Sequence, residues 1–327
     1  MTAILVSRAV FAQTLQRLRT HFEVDANEDD TIFSRAQLIQ RLQGKAGVLT
    51  TGSERIDAQV LAACPQLRVV ANMAVGYNNF DIAACTAAGV LTTNTPDVLT
   101  ETTADFGFAL MMAAARRITE SEHFLRRGEW KKWCYDMFTG SDVHGATLGI
   151  LGMGRIGQGI ARRGALGFGM TVIYHNRSRV APEIERALNA RYVDKAELLA
   201  QADHLVLVVP YGAQSHHAIG AAELAQMKPT ATLTNVARGG IVDDVALAQA
   251  LREGRIAAAA LDVFEGEPTV HPDLLTVPNI VLTPHIASAT GATRRAMAEL
   301  AADNLIAALT GGTAPTPINA ADLLRRA

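Results

Sequence analysis

The chain's clearest candidate for binding chemistry is the glycine-rich run Gly152-Met153-Gly154-Arg155-Ile156-Gly157. It follows the apolar residues 148–151 and precedes a helical pattern over residues 156–166. In such a context the first glycine allows a tight turn, and the second lets the backbone approach a pyrophosphate. The third lets the helix pack on the strand. Because N–H groups at the start of a helix attract phosphates, the run predicts a dinucleotide site.

The end of the next predicted strand bears on which nicotinamide cofactor would bind. Proteins that prefer NAD place an Asp or Glu about 20 residues after the glycines, where it binds the ribose 2′-hydroxyl. This chain has Asn176-Arg177-Ser178-Arg179 there, and no acidic residue occurs between Gly157 and Glu183. A carboxylate would repel a 2′-phosphate, whereas an amide and an arginine attract it. The pattern therefore favours NADPH, with Arg177 the first candidate for the phosphate contact and Arg179 the second.

Two polar residues that suit proton transfer and anion binding follow apolar segments further along the chain. Arg238 comes after residues 231–236, and His285 comes just after residues 280–282. Open α/β sheets bind ligands outside the carboxyl ends of their strands, so these positions are candidate site residues. A guanidinium can bind two oxygens at once, and an imidazole can donate a proton near neutral pH.

Short β-branched runs alternate with longer helical stretches, a rhythm typical of βαβ units and a parallel sheet. The first part has predicted strands over residues 3–6, 47–49 and 68–71, and predicted helices over residues 33–42, 56–63 and 82–88. A long helix is predicted over residues 101–127, ended by Gly128. The second part has predicted strands over residues 147–151, 171–174, 204–209, 231–235, 258–262 and 280–282. A helix is predicted over residues 288–309, followed by a polar tail.

This order predicts an α/β protein of two doubly wound parallel-sheet, Rossmann-like domains, with one domain inserted into the other. Residues 1–99 and 288–327 would form a discontinuous substrate-binding domain, and residues 100–287 a dinucleotide-binding domain. Two helical crossings would form the hinge. A cleft between the two domains is the expected place for ligands.

Composition excludes several classes of protein. The chain has 327 residues, 49% of them hydrophobic, with a net charge of −2, so it is neither disordered nor strongly basic. A nucleic acid or an anionic membrane surface is therefore not an expected partner. Cys64, Cys85 and Cys134 have no metal-ligand spacing and an odd count, so no metal site and no disulfide framework are predicted. The N-terminus lacks a basic region before its apolar residues, and we expect a cytoplasmic protein.

Five segments, in this order and spacing, resemble the motifs of the D-isomer-specific 2-hydroxyacid dehydrogenases. They are Ala71-Asn72-Met73-Ala74-Val75-Gly76-Tyr77-Asn78-Asn79-Phe80-Asp81, the glycine-rich run, Asn235-Val236-Ala237-Arg238-Gly239, Leu261-Asp262-Val263-Phe264-Glu265-Gly266-Glu267-Pro268 and Thr283-Pro284-His285-Ile286-Ala287-Ser288. Within that family, residues 139–145 are most similar to the bacterial glyoxylate/hydroxypyruvate reductases that also reduce 2-ketogluconate. The resemblance implies reduction of small 2-keto acids by NADPH, or less well by NADH, to D-2-hydroxy acids.

The resemblance also implies roles for individual residues. His285 would donate the proton, Glu267 would orient His285 and favour its charged form, and Arg238 would bind the keto oxygen and the carboxylate. The backbone N–H groups of Val75 and Gly76 would bind the substrate carboxylate. The resemblance adds further cofactor contacts to the glycines and to the residues after the next strand. The contacts already named are Gly152, Gly154, Gly157, Asn176, Arg177 and Ser178, and the added ones are Arg155, Ile156, Val209, Pro210, Val236, Ala237 and Asp262.

Members of the family are usually homodimers through the nucleotide domain, so a homodimer is expected. Relatives often carry a tryptophan that reaches the partner subunit's substrate site. Here Met137-Phe138 stands in that stretch, with Trp130 and Trp133 upstream. Which aromatic residue reaches the partner, and therefore which substrate size is preferred, stays open.

Other functions fit the same motifs. A dehydrogenase of the same fold could act on a D-lactate-type acid, phosphoglycerate, formate or phosphite, because a similar Arg/Glu/His site serves these reactions. A non-catalytic NAD(H)-sensing scaffold, as among the family's transcriptional corepressors, would keep both the fold and the site. An assay of the purified protein against a panel of substrates separates these functions.

Overall fold

The computed structural model describes residues 1–325 and contains two compact units. The first unit comprises Met1–Leu99 and the chain from Thr290 onward, and the second comprises Thr100–Ala289. Each unit has its own parallel sheet with helices between the strands. The predicted α/β class, with two doubly wound parallel sheets, is confirmed.

The first unit has a five-stranded sheet in the order β2-β1-β3-β4-β5, and every pair of neighbouring strands is parallel. Its strands are β1 (Ala3–Val6), β2 (Glu23–Ala26), β3 (Gly47–Thr50), β4 (Val69–Asn72) and β5 (Leu91–Thr93). The helices between them are α1 (Ala12–Arg19), α2 (Arg35–Leu42), α3 (Ala58–Ala63) and α4 (Ile82–Ala87). Strands β3 and β4 are buried along their whole length, which explains their nearly continuous apolar sequences.

The second unit has a seven-stranded sheet in the order β12-β11-β10-β9-β6-β7-β8, again parallel throughout. Its strands are β6 (Thr147–Leu151), β7 (Thr171–His175), β8 (Ala190–Tyr192), β9 (His204–Leu207), β10 (Thr232–Asn235), β11 (Ala258–Leu261) and β12 (Ile280–Leu282). Its α-helices are α5 (Thr100–Ala115), α6 (Ile118–Arg126), α7 (Arg155–Arg162), α8 (Pro182–Leu188), α9 (Lys195–Gln201), α10 (Ala221–Leu224) and α11 (Asp244–Arg252). A π-helical turn, Arg163–Gly167, continues α7, and a 3-10 helix spans Pro272–Thr276.

The chain returns to the first unit with α12 (Gly291–Leu309) and α13 (Ala320–Leu324). The Thr290 hydroxyl accepts a hydrogen bond from Thr293 N at 3.2 Å, so α12 begins a few residues later than predicted. The tail predicted to be only polar contains α13. Asn319, just before α13, is buried and donates to Thr86 Oγ1 and Val90 O, both at 2.9 Å. These bonds hold the C-terminal segment against the rest of the first unit.

Strand order in the second sheet reverses beside β6. The chain adds β7 and β8 on one side of β6 and then β9, β10, β11 and β12 on the other. Ligands of open α/β sheets bind at the carboxyl ends of the strands next to such a reversal. The glycine-rich run directly follows β6 and therefore lies at this point.

The single helix predicted over residues 101–127 is wrong, because the structure has two helices there. Arg117 takes a left-handed conformation, with φ of 52°, between α5 and α6. Its guanidinium binds Glu120 at 2.8 Å and lies 5.1 Å from the centre of the Phe138 ring, which offsets the backbone strain. Half of the residues of α5 are buried, whereas α6 has no buried residue.

Within residues 1–325, no helix is both long enough and apolar enough to cross a membrane.

Candidate active site

The turn between β6 and α7 has the shape that a bound pyrophosphate requires. Gly152 has φ of +107°, and a Cβ there would lie 2.7 Å from the backbone carbon of Val208. A Cβ at Gly157 would lie 2.2 Å from Gly152 O, so neither position accepts a side chain. At Gly154 nothing lies within 4 Å of a built Cβ, so this side of the turn is open. The first N–H groups of α7 have no partner inside the helix and complete an anion-binding cradle that fits a dinucleotide.

The end of β7 fixes this turn through Asn176. Its side-chain oxygen accepts a hydrogen bond from Met153 N at 2.7 Å, and Gly152 N donates to His175 O at 3.0 Å. Tyr192 Oη donates to Asn176 O at 3.1 Å. The side-chain carbonyl of Asn176 is therefore occupied, and its NH₂ group is the part that can reach a ligand.

The two arginines after Asn176 differ in their surroundings. Arg177 and Ser178 are exposed, and neither has a hydrogen bond or ion pair with any described residue. Arg179 forms two hydrogen bonds of 2.7 Å with Glu185, which also accepts one of 2.7 Å from Tyr174 Oη. Arg179 is therefore held by its own unit, whereas Arg177 and Ser178 are available to an anionic ligand.

His285 and Glu267 form a hydrogen-bonded pair in the second unit. His285 Nδ1 lies 2.7 Å from Glu267 Oε1, and the other carboxylate oxygen accepts from Phe264 N at 3.3 Å. Burial acts to raise the pKa of Glu267, but the hydrogen bond and the charge of His285 bring it below its usual value. Glu267 therefore stays ionised at neutral pH and places a negative charge beside the imidazole ring. The Nε2 atom of His285 has no partner among the described residues, so it can face a substrate.

Asp262 anchors the turn that carries His285. Its carboxylate is fully buried and accepts three hydrogen bonds, from Thr283 Oγ1 at 2.7 Å and from the N–H groups of Ile286 and Ala287 at 2.8 Å. Between these donors His285 adopts φ of 54°, a strained conformation for a residue other than glycine. The family resemblance implied a cofactor contact at Asp262 but not this positioning role. The cofactor contact stays a prediction.

Arg238 lies in the tight turn after β10. The Asn235 side chain closes this turn, because it donates to Arg238 O and accepts from Ala237 N, both at 3.0 Å. Arg238 Nη1 donates to Ala237 O at 2.7 Å. Burial lowers the pKa of the guanidinium and the charge of Glu267 opposes that, so Arg238 stays charged at any working pH. In the sequence Asn235 stands out only as part of a motif, and its role in closing the turn is visible only in the structure.

Close backbone packing joins the Arg238 turn to the segment that carries Glu267. A Cβ at Gly239 would lie 1.7 Å from Phe264 O, so only glycine allows the two segments to touch. The unit thus brings Arg238, Glu267 and His285 to the carboxyl ends of β10, β11 and β12. Of the other predicted cofactor residues, Arg155 and Ile156 begin α7. Val209 and Pro210 follow β9, and Val236 and Ala237 follow β10.

In the first unit, Val75 and Gly76 form a turn after β4. Asn94 Nδ2 donates to Val75 O at 2.8 Å, and Asn72 Nδ2 donates to Gly76 O at 3.0 Å. Neither backbone N–H of the pair has a hydrogen-bond partner among residues 1–325. Two such free N–H groups suit a carboxylate. Their role in binding substrate stays a prediction.

Comparison with known proteins identifies the family. The family model described as "D-isomer specific 2-hydroxyacid dehydrogenase, NAD binding domain" matches residues 108–287. The chain belongs to this family. The family resemblance drawn from the five sequence motifs is therefore confirmed.

Several relatives are similar along their whole length. A glyoxylate reductase of Thermococcus onnurineus is 50% identical over 320 residues, which cover 97% of this chain and 95% of that protein. A glyoxylate reductase of Aeropyrum pernix is 46% identical over 322 residues, covering 97% and 95%. Among solved structures, an NADPH-dependent glyoxylate/hydroxypyruvate reductase of Sinorhizobium meliloti, in complex with NADP and malonate, superposes with a TM-score of 0.86. It is 36% identical and covers 97% of this chain and 96% of that chain.

Proposed function

We propose that this dehydrogenase reduces small 2-keto acids, glyoxylate and hydroxypyruvate first among them and 2-ketogluconate as a larger candidate, to D-2-hydroxy acids. The 2.7 Å hydrogen bond between His285 and Glu267 carries the proposal, because it supplies a proton donor with an anionic partner. Arg238 and the glycine turn belong to the same unit. The names of the Thermococcus, Aeropyrum and Sinorhizobium relatives support these substrates.

The chemistry assigned to the chain's own residues is proton transfer and charge stabilisation. The reduced nicotinamide, when bound, supplies the hydride. Arg238 binds the substrate carboxylate and the carbonyl oxygen, and it stabilises the negative charge that develops on that oxygen. Protonated His285 donates its Nε2 proton to the same oxygen and becomes neutral, while Glu267 holds the ring through Nδ1. Asp262 keeps the His285 turn in place through its three hydrogen bonds.

We propose NADPH as the preferred cofactor. Asn176 stands where a carboxylate would select NADH, and Arg177 and Ser178 are exposed and free of partners among the described residues. The pairing of Arg179 with Glu185 leaves Arg177 as the arginine for the 2′-phosphate. The NADP complex of the Sinorhizobium relative supports this assignment.

Because the glycine turn lies in the second unit and the Val75–Gly76 turn in the first, we assign dinucleotide binding to the second unit and substrate-binding contacts to the first.

We further propose a homodimer through the segment from α6 to Phe138. No residue of α6 is buried, and Trp133 and Tyr135 are 72% and 90% exposed. Phe138 packs on Phe124 of its own chain, so Trp130, Trp133 and Tyr135 are the aromatic residues left for a partner subunit. Sedimentation measurements that compare the molecular mass of the native protein with that of Trp133→Ser test this surface, and we expect the substitution to weaken the dimer. Cytoplasmic localisation stays a prediction.

A substrate panel tests the proposed activity. Oxidation of NADPH and of NADH is followed at 340 nm with glyoxylate, hydroxypyruvate, 2-ketogluconate, pyruvate and phosphohydroxypyruvate, and the reverse reaction with formate and phosphite. We expect the highest kcat/KM with glyoxylate or hydroxypyruvate and NADPH. Turnover only with formate or phosphite, or cofactor binding without any turnover, would replace the proposal by one of the alternative functions.

A further inference from the structure

Two histidines and a glutamate form a compact cluster on the second unit, outside the Arg238, Glu267 and His285 group. His216 and His217 lie in the segment between β9 and α10, and Glu265 lies between β11 and the 3-10 helix. Each offers one ligand atom, and these atoms lie within 4.8 Å of one another. His217 Nε2 is 2.8 Å from Glu265 Oε2, and the two imidazole rings stack with their centres 3.9 Å apart.

A polar group lies near one ring nitrogen of each histidine. His216 Nδ1 is within hydrogen-bond distance of Tyr211 Oη, at 3.2 Å, and His217 Nδ1 lies 3.9 Å from Asp243 Oδ2, which is an ion-pair distance. Metal-binding histidines commonly direct one ring nitrogen to a hydroxyl or carboxylate and the other to the metal. In this cluster the Nε2 atoms are left as ligands. The backbone holds the pair as well, because His217 N donates to Gly240 O at 2.7 Å.

We propose that His216, His217 and Glu265 bind a divalent transition metal ion of the Zn²⁺ class. Two imidazole nitrogens and one carboxylate oxygen are a donor set that Zn²⁺ accepts, with water in the fourth position. The ion would lie beside His217 Nε2 and Glu265 Oε2, which are 2.8 Å apart. Small movements of exposed side chains bring the three donors to metal-bonding distance, since His217 and Glu265 are already in contact.

Binding at this cluster has a structural consequence for the Glu267 segment. A Cβ at Gly240 would lie 3.1 Å from Tyr211 Cε2 and 3.5 Å from His216 Nδ1, so the segment with the two histidines lies on the Arg238 turn. The Arg238 turn also touches Phe264 through Gly239. The Arg238 turn therefore lies between the segment with the two histidines and the segment with Phe264 and Glu265. A metal ion bound by His216, His217 and Glu265 joins these two outer segments directly. It therefore restrains the backbone of residues 264–268.

The test is titration of ZnCl₂ into untagged, chelator-treated full-length protein by calorimetry. We expect one equivalent to bind to the native protein. His216→Ala and Glu265→Gln should each weaken binding by about tenfold or more, the scale on which metal sites respond to lost partners. His123→Ala is the matched control, because His123 also lies near a glutamate, 3.8 Å from Glu122, but has no second histidine beside it. We expect this control to bind like the native protein.

Two further measurements keep the result independent of folding and of activity. Replacement of Zn²⁺ by Co²⁺ should give visible ligand-field absorption in the native protein that His216→Ala lacks. Saturation with Zn²⁺ should slow amide hydrogen exchange in residues 264–267 and raise the midpoint of thermal unfolding in proportion to the logarithm of free Zn²⁺. Equal Zn²⁺ affinity of native protein, His216→Ala and Glu265→Gln would overturn the proposal. Unchanged amide exchange in residues 264–267 on saturation would show that the bound ion does not restrain this backbone.

Discussion

Arg177→Ala should reduce the preference for NADPH without disturbing the fold. Arg177 is exposed and has no partner among residues 1–325, so its truncation removes no contact of the described structure. A hydrogen bond from a charged group to its partner contributes about 1.5–3 kcal/mol. Because exposure screens the pair, we take the lower end, about 1.5 kcal/mol, which corresponds to roughly tenfold in kcat/KM. NADH lacks the phosphate, so its kcat/KM should not change.

Asn176→Asp adds a negative charge that repels the 2′-phosphate of NADPH, while residue 176 keeps its contact with the glycine turn. A carboxylate still accepts the hydrogen bond that Met153 N makes with Asn176 Oδ1 at 2.7 Å, so the glycine turn keeps its support. Like charges about 6 Å apart at an effective dielectric constant of about 20 repel by about 2.8 kcal/mol, or roughly a hundredfold. With Arg177→Ala, Asn176→Asp should therefore make NADH the better cofactor.

The assay is kcat/KM for NADPH and for NADH at saturating glyoxylate and fixed ionic strength. Arg179→Ala is the control for losing an arginine nearby, since Glu185 already holds Arg179. We expect this control to leave the ratio of the two kcat/KM values unchanged. Equal efficiency of NADH and NADPH in the native protein would refute the reasoning. A larger effect of Arg179→Ala than of Arg177→Ala would transfer the phosphate contact to Arg179.

Three further substitutions test the proposed active site. Glu267→Gln should move the pH above which reduction slows to a lower value, because the protonated imidazole of His285 loses its anionic partner; a pH–rate profile identical to that of the native protein would contradict the pairing. Arg238→Lys should lower kcat/KM for glyoxylate by more than about 1 kcal/mol in transition-state stabilisation, because an ammonium group cannot replace the planar two-donor geometry. Asp262→Asn should lower the free energy of unfolding by about 1–3 kcal/mol, since an amide NH₂ group would face N–H donors such as that of Ala287. The substitution should also lower kcat, with a smaller effect on the KM for NADPH. A change in the KM for NADPH alone would instead favour a cofactor contact at Asp262.

Local motifs made much of the second unit predictable from the sequence. The glycine run has a fixed relation to the strand before it and the helix after it, and β6 and β12 have the predicted bounds. Arg238 and His285 each lie three residues after a strand of the second sheet, which marks them as candidate site residues. Their individual roles, and those of Asp262 and Glu267, came from the family resemblance.

Contacts between segments that are distant in the sequence could not be predicted from it. The break at Arg117 has no glycine or proline to mark it and depends on Glu120 and Phe138. The edge strands β2 and β8 are short and polar, so their sequences lack the continuous apolar pattern of central strands. The hydrogen bonds of Asp262, and the cluster that joins His217 to Glu265, link residues that are adjacent only after folding.

Reduction of hydroxypyruvate by the native protein and by His285→Asn tests the proposed proton transfer most directly. Single-turnover oxidation of NADPH is followed at 340 nm, and the enantiomer of the glycerate product is determined. We predict D-glycerate from the native protein, and a rate about 10²- to 10⁴-fold lower for His285→Asn, with NADPH binding measured by fluorescence unchanged. A native-like single-turnover rate for His285→Asn, or L-glycerate as the product, would contradict the proposal.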